Sequence, residues 1–111
     1  MVLTMSRKTT SYRSVLLMRR AGYNAETTEH RNGKFRKDLF NVADCLAFKA
    51  GEPAILIQAF HAKEEKNHAQ FNRNLPIIRE WLLTGNAFEL HLWSFKTRKG
   101  RKYWNAERRR L

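Results

Sequence analysis

The stretch that decides the fold is Arg36-Lys37-Asp38-Leu39-Phe40-Asn41-Val42-Ala43-Asp44-Cys45-Leu46-Ala47-Phe48, followed by Lys49-Ala50-Gly51-Glu52-Pro53 and then Ala54-Ile55-Leu56-Ile57-Gln58-Ala59-Phe60. Two apolar runs of strand length flank a Gly/Pro break, the pattern of a buried β-hairpin. Each run carries one polar side chain that a buried strand does not need, Asp44 in the first and Gln58 in the second. Residues two apart in an extended chain share a face, so Asp44 aligns with Leu46 and Phe48, and Gln58 with Leu56 and Phe60. Burying an unpaired carboxylate is costly. Something must compensate Asp44, and a divalent cation is one candidate.

Upstream, residues 1–9 read as a basic arm without periodicity. Thr10 or Ser11 can cap a helix whose apolar side is Tyr12, Val15, Leu16 and Met18, with Gly22 as its stop. The next reading is a strand pair, Tyr23–Arg31 and Phe35–Lys49, joined at Asn32-Gly33, a strong hairpin signal, with a bend in Asp38-Leu39-Phe40-Asn41 before the second strand enters the core. Downstream, Asn67 can cap a helix with Phe71, Leu75, Ile78 and Leu82 on one side. Pro76 either kinks that helix or restarts it after Asn74. Phe88 to Phe95 alternates, with Glu89, His91 and Trp93 read as a solvated or partly open face. Residues 96–111 read as a basic C-terminal tail, eight Lys/Arg with Tyr103 and Trp104 among them. The order helix, strand, strand, strand, helix, strand predicts an α/β fold with a mixed sheet in one domain.

Composition narrows the function. The 111 residues are 42% hydrophobic and 12% aromatic, enough for one folded core. Twenty-two Lys/Arg against ten Asp/Glu give a net charge of +12, which points to polyanions and above all to nucleic acid. No membrane-length apolar run or signal-peptide core is present, and the lone Cys45 reads as a core thiol, so a cytoplasmic protein is expected. His30, His61, His68 and His91 show no metal-ligand spacing, and no phosphate-binding glycine loop or Gly-x-Ser-x-Gly elbow occurs.

Arg36 to Asp44 looks like the R-R-D-L-F-G-F-x-D stretch of certain nucleases, Ile57-Gln58-Ala59 like a following V-Q-V, and Trp81 to Trp93 has a W-L-x-x-G-N-x-F-E-x-H-x-W character. With the αβββαβ order, the chain resembles the PD-(D/E)XK superfamily, in particular restriction-endonuclease-like and Holliday-junction-resolvase-like proteins including the VRR-NUC type, over roughly Tyr12 to Trp93. The resemblance implies a restriction-endonuclease-like core and a Mg²⁺- or Mn²⁺-dependent endonuclease acting on DNA, branched or structured DNA included. It implies metal ligands at Asp44, Gln58 and the Ala59 carbonyl, with DNA favoured over RNA. It also implies a homodimer, paired through the helices or the open face of the Phe88–Phe95 strand.

Two positions depart from that pattern. Gln58 stands where an acidic ligand belongs, and Phe60 stands where a water-positioning Lys belongs. Glu29 or Asp38 could supply the carboxylate, and Lys63, or Lys34 and Lys37, the ammonium. Each also has a plain structural reading: a surface ion pair for Glu29, a turn or cap for Asp38, a solvated face for Lys63. The catalytic candidates are therefore Asp44, Gln58, Lys63 and Glu29. The nucleic-acid-binding candidates are Arg19, Arg20, Lys34, Arg36, Lys37, Arg98, Lys99, Arg101, Lys102, Arg108, Arg109 and Arg110. A catalytically degenerate relative that only binds nucleic acid, and an unrelated RNA- or ribosome-binding protein, are the alternatives.

Overall fold

A computed structural model describes residues 9–28, 30–32, 35–37, 39–40, 42–62 and 75–111, with backbone alone for 30–32 and 35–37. Helix α1 (Thr10–Arg20) begins one residue earlier than expected: Thr9 is its N-cap, its hydroxyl accepting the Tyr12 amide at 3.2 Å. Gly22 ends it as anticipated. At φ +93° its amide bonds Arg19 O, and the Tyr23 amide bonds Met18 O, the paired bonds of a Schellman stop. The buried side of α1 is Ser11, Ser14, Val15 and Met18, a helical stripe that leaves Tyr12 largely exposed. Two serines occupy core positions there, and for Ser14 the reason lies in the sheet beneath it.

Among the described residues seven strands follow in chain order: β1 (Asn24–Thr27), β2 (His30–Asn32), β3 (Phe35–Lys37), β4 (Cys45–Phe48), β5 (Ile55–His61), β6 (Ala87–Arg98) and β7 (Arg101–Arg110). Five of them make the main sheet, in the order β1-β4-β5-β6-β7. All neighbours run antiparallel except β5 and β6, which are parallel, with α2 (Leu75–Leu83) between them in the chain. The α/β class and mixed sheet thus hold. Alternation along β5 separates two clusters. Ile55 and Ile57 pack with Val15, Met18, Ala25, Cys45, Ala47 and Ala87 under α1. Leu56 and Phe60 pack with Val42, Ala43, Ile78, Phe88, Leu90 and Leu92 on the α2 side. Ile78, Trp81 and Leu82 supply the α2 contribution, while the part of the expected helix before Leu75 lies outside the described residues.

The expected pair Tyr23–Arg31 with Phe35–Lys49, closing at Asn32-Gly33, is present in two pieces rather than as one continuous ladder. Residues 24–27 pair with β4, whereas β2 and β3 form a separate two-stranded sheet. The bend expected in that stretch separates β3 from β4, because the chain turns back on itself between Leu39 and Ala43. Leu39 N bonds Ala43 O at 2.8 Å, Val42 N and Ala43 N both return to Leu39 O, and Phe40 adopts φ +54°. A bulky residue in the left-handed region is unfavourable, and the turn holds it there.

The basic tail is corrected as well. Residues 96–98 continue β6, and 101–110 return beside it as β7. Lys99 (φ +52°) and Gly100 (φ +78°) form a two-residue turn with both residues left-handed, the I′ geometry whose twist suits a hairpin. The open face expected for Glu89, His91 and Trp93 is closed: from Ala87 to Trp93 every residue of β6 is buried, because α1 covers one face and the α2-side cluster the other. That part of the strand offers no surface for the expected dimer.

Candidate functional site

Three arrangements carry polar chemistry, and the first is at Asp44. Ladder register places Cys45 opposite Ile57, yet the Asp44 amide also donates to Ile57 O at 3.0 Å. Asp44 and Cys45 therefore share one partner, and the strand bends as at a β-bulge. The Asp44 side chain, 0% exposed, then turns to β5, where Ala59 N donates to Oδ1 at 3.2 Å and Oδ2 at 3.3 Å. The carboxylate takes the position of the missing ladder acceptor. In an extended strand the N–H and C=O of one residue point to the same edge, so the Ala59 carbonyl is directed to the Asp44 side as well. Gln58, half-buried, follows Leu56 on the α2-side face. From the other direction, Thr28 N donates to Asp44 O at 2.9 Å and Thr28 Oγ1 to Ala43 O at 3.2 Å.

The remaining candidates for that site separate into two groups. Glu29, Asp38, Lys63 and Lys34 lie outside the described residues. Phe60 is part of the apolar cluster at 4% exposure, so the position of the usual Lys is core. The donors at hand are one carboxylate, one carboxamide and one backbone carbonyl. All are hard oxygens of the kind Mg²⁺ accepts, with a single negative charge among them. Among the described residues no group of three His, Cys, Asp or Glu side chains is arranged for a metal.

The second arrangement was not expected from the sequence. Under α1, His91 Nδ1 lies 2.8 Å from Ser14 Oγ and His91 Nε2 lies 3.0 Å from Glu89 Oε1. Trp93 Nε1 donates to Ser14 Oγ at 2.8 Å. Glu89, 2% exposed, also accepts from Arg108 through both oxygens (2.8 and 2.9 Å) and from Arg110 at 2.8 Å. Burial by itself pushes the Glu89 carboxyl up, but hydrogen bonds from His91, Arg108 and Arg110 outweigh it and hold the group well below the usual carboxylate range. An ionised Glu89 can only accept, so Nε2 carries the proton, and in the neutral ring Nδ1 accepts from the Ser14 hydroxyl. The trio has the composition of a hydrolase triad without its access. Ser14 is fully buried and its oxygen already accepts the indole proton. It serves as structure, and it explains why α1 turns Ser14 inward, whereas Ser11 Oγ pairs with Thr9 Oγ1 at 3.0 Å. Serine at i and i+3 on the buried side of a helix, opposite alternating Glu, His and Trp, is the signal that was present.

The third arrangement is the β6–β7 hairpin. β5 ends at His61, which pairs with Trp93, so the ribbon from Ser94 outward extends past the sheet. Lys96, Arg98, Lys99, Arg101 and Lys102 are exposed on it and form no ion pair with the described residues. The other basic candidates differ. Arg19 bonds Ala25 O and Glu26, Arg109 pairs with Glu107 at 2.7 Å, and Arg108 and Arg110 belong to Glu89. Arg20 is exposed in the last turn of α1, and the backbone of Arg36 and Lys37 lies in β3. On the α1 side of the ribbon's base, Trp104 stands opposite Phe95 with ring centroids 4.9 Å apart, His61 lies 5.4 Å from Trp104, and the Arg13 guanidinium sits 4.0 Å above the Trp104 ring.

The chain matches no protein-family model, no curated protein and no solved structure. No helix among the described residues is long and apolar enough to cross a membrane.

Proposed function

We propose that the chain binds nucleic acid, DNA in the first instance, through the β6–β7 ribbon. The observation that carries this reading is the projecting hairpin with five exposed cations that no described carboxylate opposes. From Phe95 to Arg98 the ribbon extends by about 10 Å at roughly 3.3 Å per residue, and a two-stranded ribbon is of a size the major groove admits. Affinity for phosphates comes from Lys96, Arg98, Lys99, Arg101 and Lys102, with little sequence preference. Fluorescence anisotropy with a labelled duplex across a salt series tests it. Binding that weakens steeply with salt, and a slope that flattens when these five residues are neutralised, support the reading. A slope unchanged in a folded variant removes the ribbon from the interface.

Phosphodiester cleavage on a restriction-endonuclease-like core is the second reading, favoured by the convergence of Asp44 and the Ala59 carbonyl at one end of β5. The succession α1, β1, β4, β5, α2, β6, with its antiparallel neighbours and one parallel pair, supports an αβββαβ core. Asp44, Gln58 and the Ala59 carbonyl would hold Mg²⁺ or Mn²⁺. The bound ion would stabilise charge developing on the scissile phosphate. Among the described residues Asp44 would contribute the anionic ligand, and its bond to Ala59 N fixes the carboxylate against β5. Phe60 holds the strand in the core and supplies no ammonium. Cleavage of plasmid and junction DNA with each metal, lost in Asp44→Asn and Glu29→Gln, supports this reading. Absence of cleavage by the wild type together with its appearance in Gln58→Glu/Phe60→Lys identifies a degenerate nuclease that now only binds.

A further inference from the structure

Phe95 and Trp104 stand directly opposite each other in the β6–β7 pairing, where such rings pack on one another. Yet Phe95 is 52% exposed, Trp104 is half-buried beside it, and two cations flank the pair on the same face. Arg13 reaches over the Trp104 ring from α1, and Lys102, opposite Thr97, is the next cation toward the tip. An exposed phenyl ring leaning on an indole, with positive charge on either side, has the composition of a stacking platform for a nucleobase with its phosphates neutralised nearby. Bases inside a duplex are stacked on each other and cannot reach such a ring; unpaired ones can.

We infer that Phe95 and Trp104 form a platform for an unpaired nucleobase, so that the protein prefers single-stranded nucleic acid, or a duplex with an unpaired flank, over continuous duplex. The inference rests on the nucleic-acid reading of the ribbon and adds the substrate class. Phe95 is the stacking ring. Trp104 is its support, held by His61 and by the Arg13 guanidinium. Arg13 and Lys102 neutralise the phosphates on either side of the stacked base. The ribbon cations beyond them serve duplex and single strand alike, because they meet phosphates only.

Anisotropy titrations with an oligothymidylate, a duplex of equal length, and that duplex carrying a thymidylate overhang test this at fixed salt. The wild type is expected to bind the overhang substrate and the single strand more tightly than the duplex. Phe95→Ala is expected to weaken both by about tenfold, the usual scale of one base–aromatic stack, while duplex binding stays within about twofold. Phe95→Tyr restores the preference, since it keeps the ring. Phe95 is an exposed position, so its truncation leaves the fold intact, and an unchanged thermal melt checks that. Equal affinity of the wild type for all three nucleic acids, or an equal weakening on all three in Phe95→Ala, overturns the platform while leaving the ribbon reading in place. No salt-dependent binding to any of them overturns the ribbon reading itself.

Discussion

Strand β6 is two different structures on one continuous backbone. From Ala87 to Trp93 it is buried on both faces, whereas from Ser94 to Arg98 it leaves the sheet and runs in solvent beside β7. The same split divides the arginines and lysines. In the inner half, Glu89 fills its acceptor positions with His91, Arg108 and Arg110, and those two arginines hold β7 to the sheet. In the outer half, five cations have no such acceptor among the described residues. Positive charge among the described residues is therefore either bonded to a carboxylate or left without one, and only the partner of each side chain tells the two apart. A truncation after Phe95 would mix the two, since it strips β7 from the sheet and leaves Glu89 without its arginines.

The largest expected effect lies in the inner half. Glu89→Gln removes the charge that Arg108, Arg110 and His91 share, and should lower stability by about 2–3 kcal/mol in urea unfolding, the scale of hydrogen bonds to a charged group. Arg108 and Arg110 are 37% and 50% exposed, so they rehydrate in the variant and keep the destabilisation from growing further. The same site sets an acid dependence. Glu89 titrates lower in the folded chain than in the unfolded one, so its contribution is complete above the ordinary Glu value of about 4.3 and is lost as the pH falls below it toward the depressed folded value. Wild-type stability should therefore decline more steeply below about pH 4 than that of Glu89→Gln. Parallel curves would break the contrast between the halves.

In the outer half, stability should hardly move and binding should. Replacing Lys96, Arg98, Lys99, Arg101 and Lys102 with Ser or Gln should weaken duplex binding by at least about tenfold at moderate salt. It should also flatten the salt slope by about 0.9 for each phosphate that the variant no longer neutralises. Unfolding free energy should stay within about 0.5 kcal/mol, as for exposed surface changes. Arg108→Gln with Arg110→Gln should do the reverse. A salt slope that responds to both sets equally would erase the distinction.

Asp44 is the intermediate case. Asp44→Asn keeps an oxygen for Ala59 N and should cost less than about 1 kcal/mol, whereas Asp44→Ala leaves that buried amide without its acceptor and should cost about 1–3 kcal/mol. Equal effects would mean that the carboxylate charge, rather than the hydrogen bond, is what the site requires. The most local effect is expected at the ribbon tip. A Cβ on Gly100 meets nothing within 4 Å, so Gly100→Ala should cost only the conformational penalty of its φ of +78°, about 1 kcal/mol, seen as faster amide exchange in residues 98–101.

Much of the fold was legible because local rules governed it. The Lys49–Pro53 break did join two core strands, Gly22 did stop α1, and Gln58 did fall on the face of Leu56 and Phe60. Asp44 was legible as a buried carboxylate, but its bond to Ala59 was not: a bulge turns it to that amide, and a bulge has no fixed residue signature. The Glu89–His91–Ser14 network reads as a wet face because alternation reports polarity, and buried polar groups that satisfy one another have the same pattern as solvated ones.

What the sequence alone determined were the features written within a few residues: the caps, the turns, the apolar runs and the basic character of the C-terminal stretch. Tertiary structure decided the rest, because each depended on a partner far along the chain. It turned residues 101–110 from a tail into a strand by pairing them with β6, and it buried Glu89 by setting Arg108 and Arg110 beside it. It also assembled the ring cluster from His61, Phe95, Trp104 and Arg13, residues that share no local pattern. A side chain's charge is a property of its residue, but whether that charge is neutralised, buried or free is a property of its neighbours, and only folding supplies those.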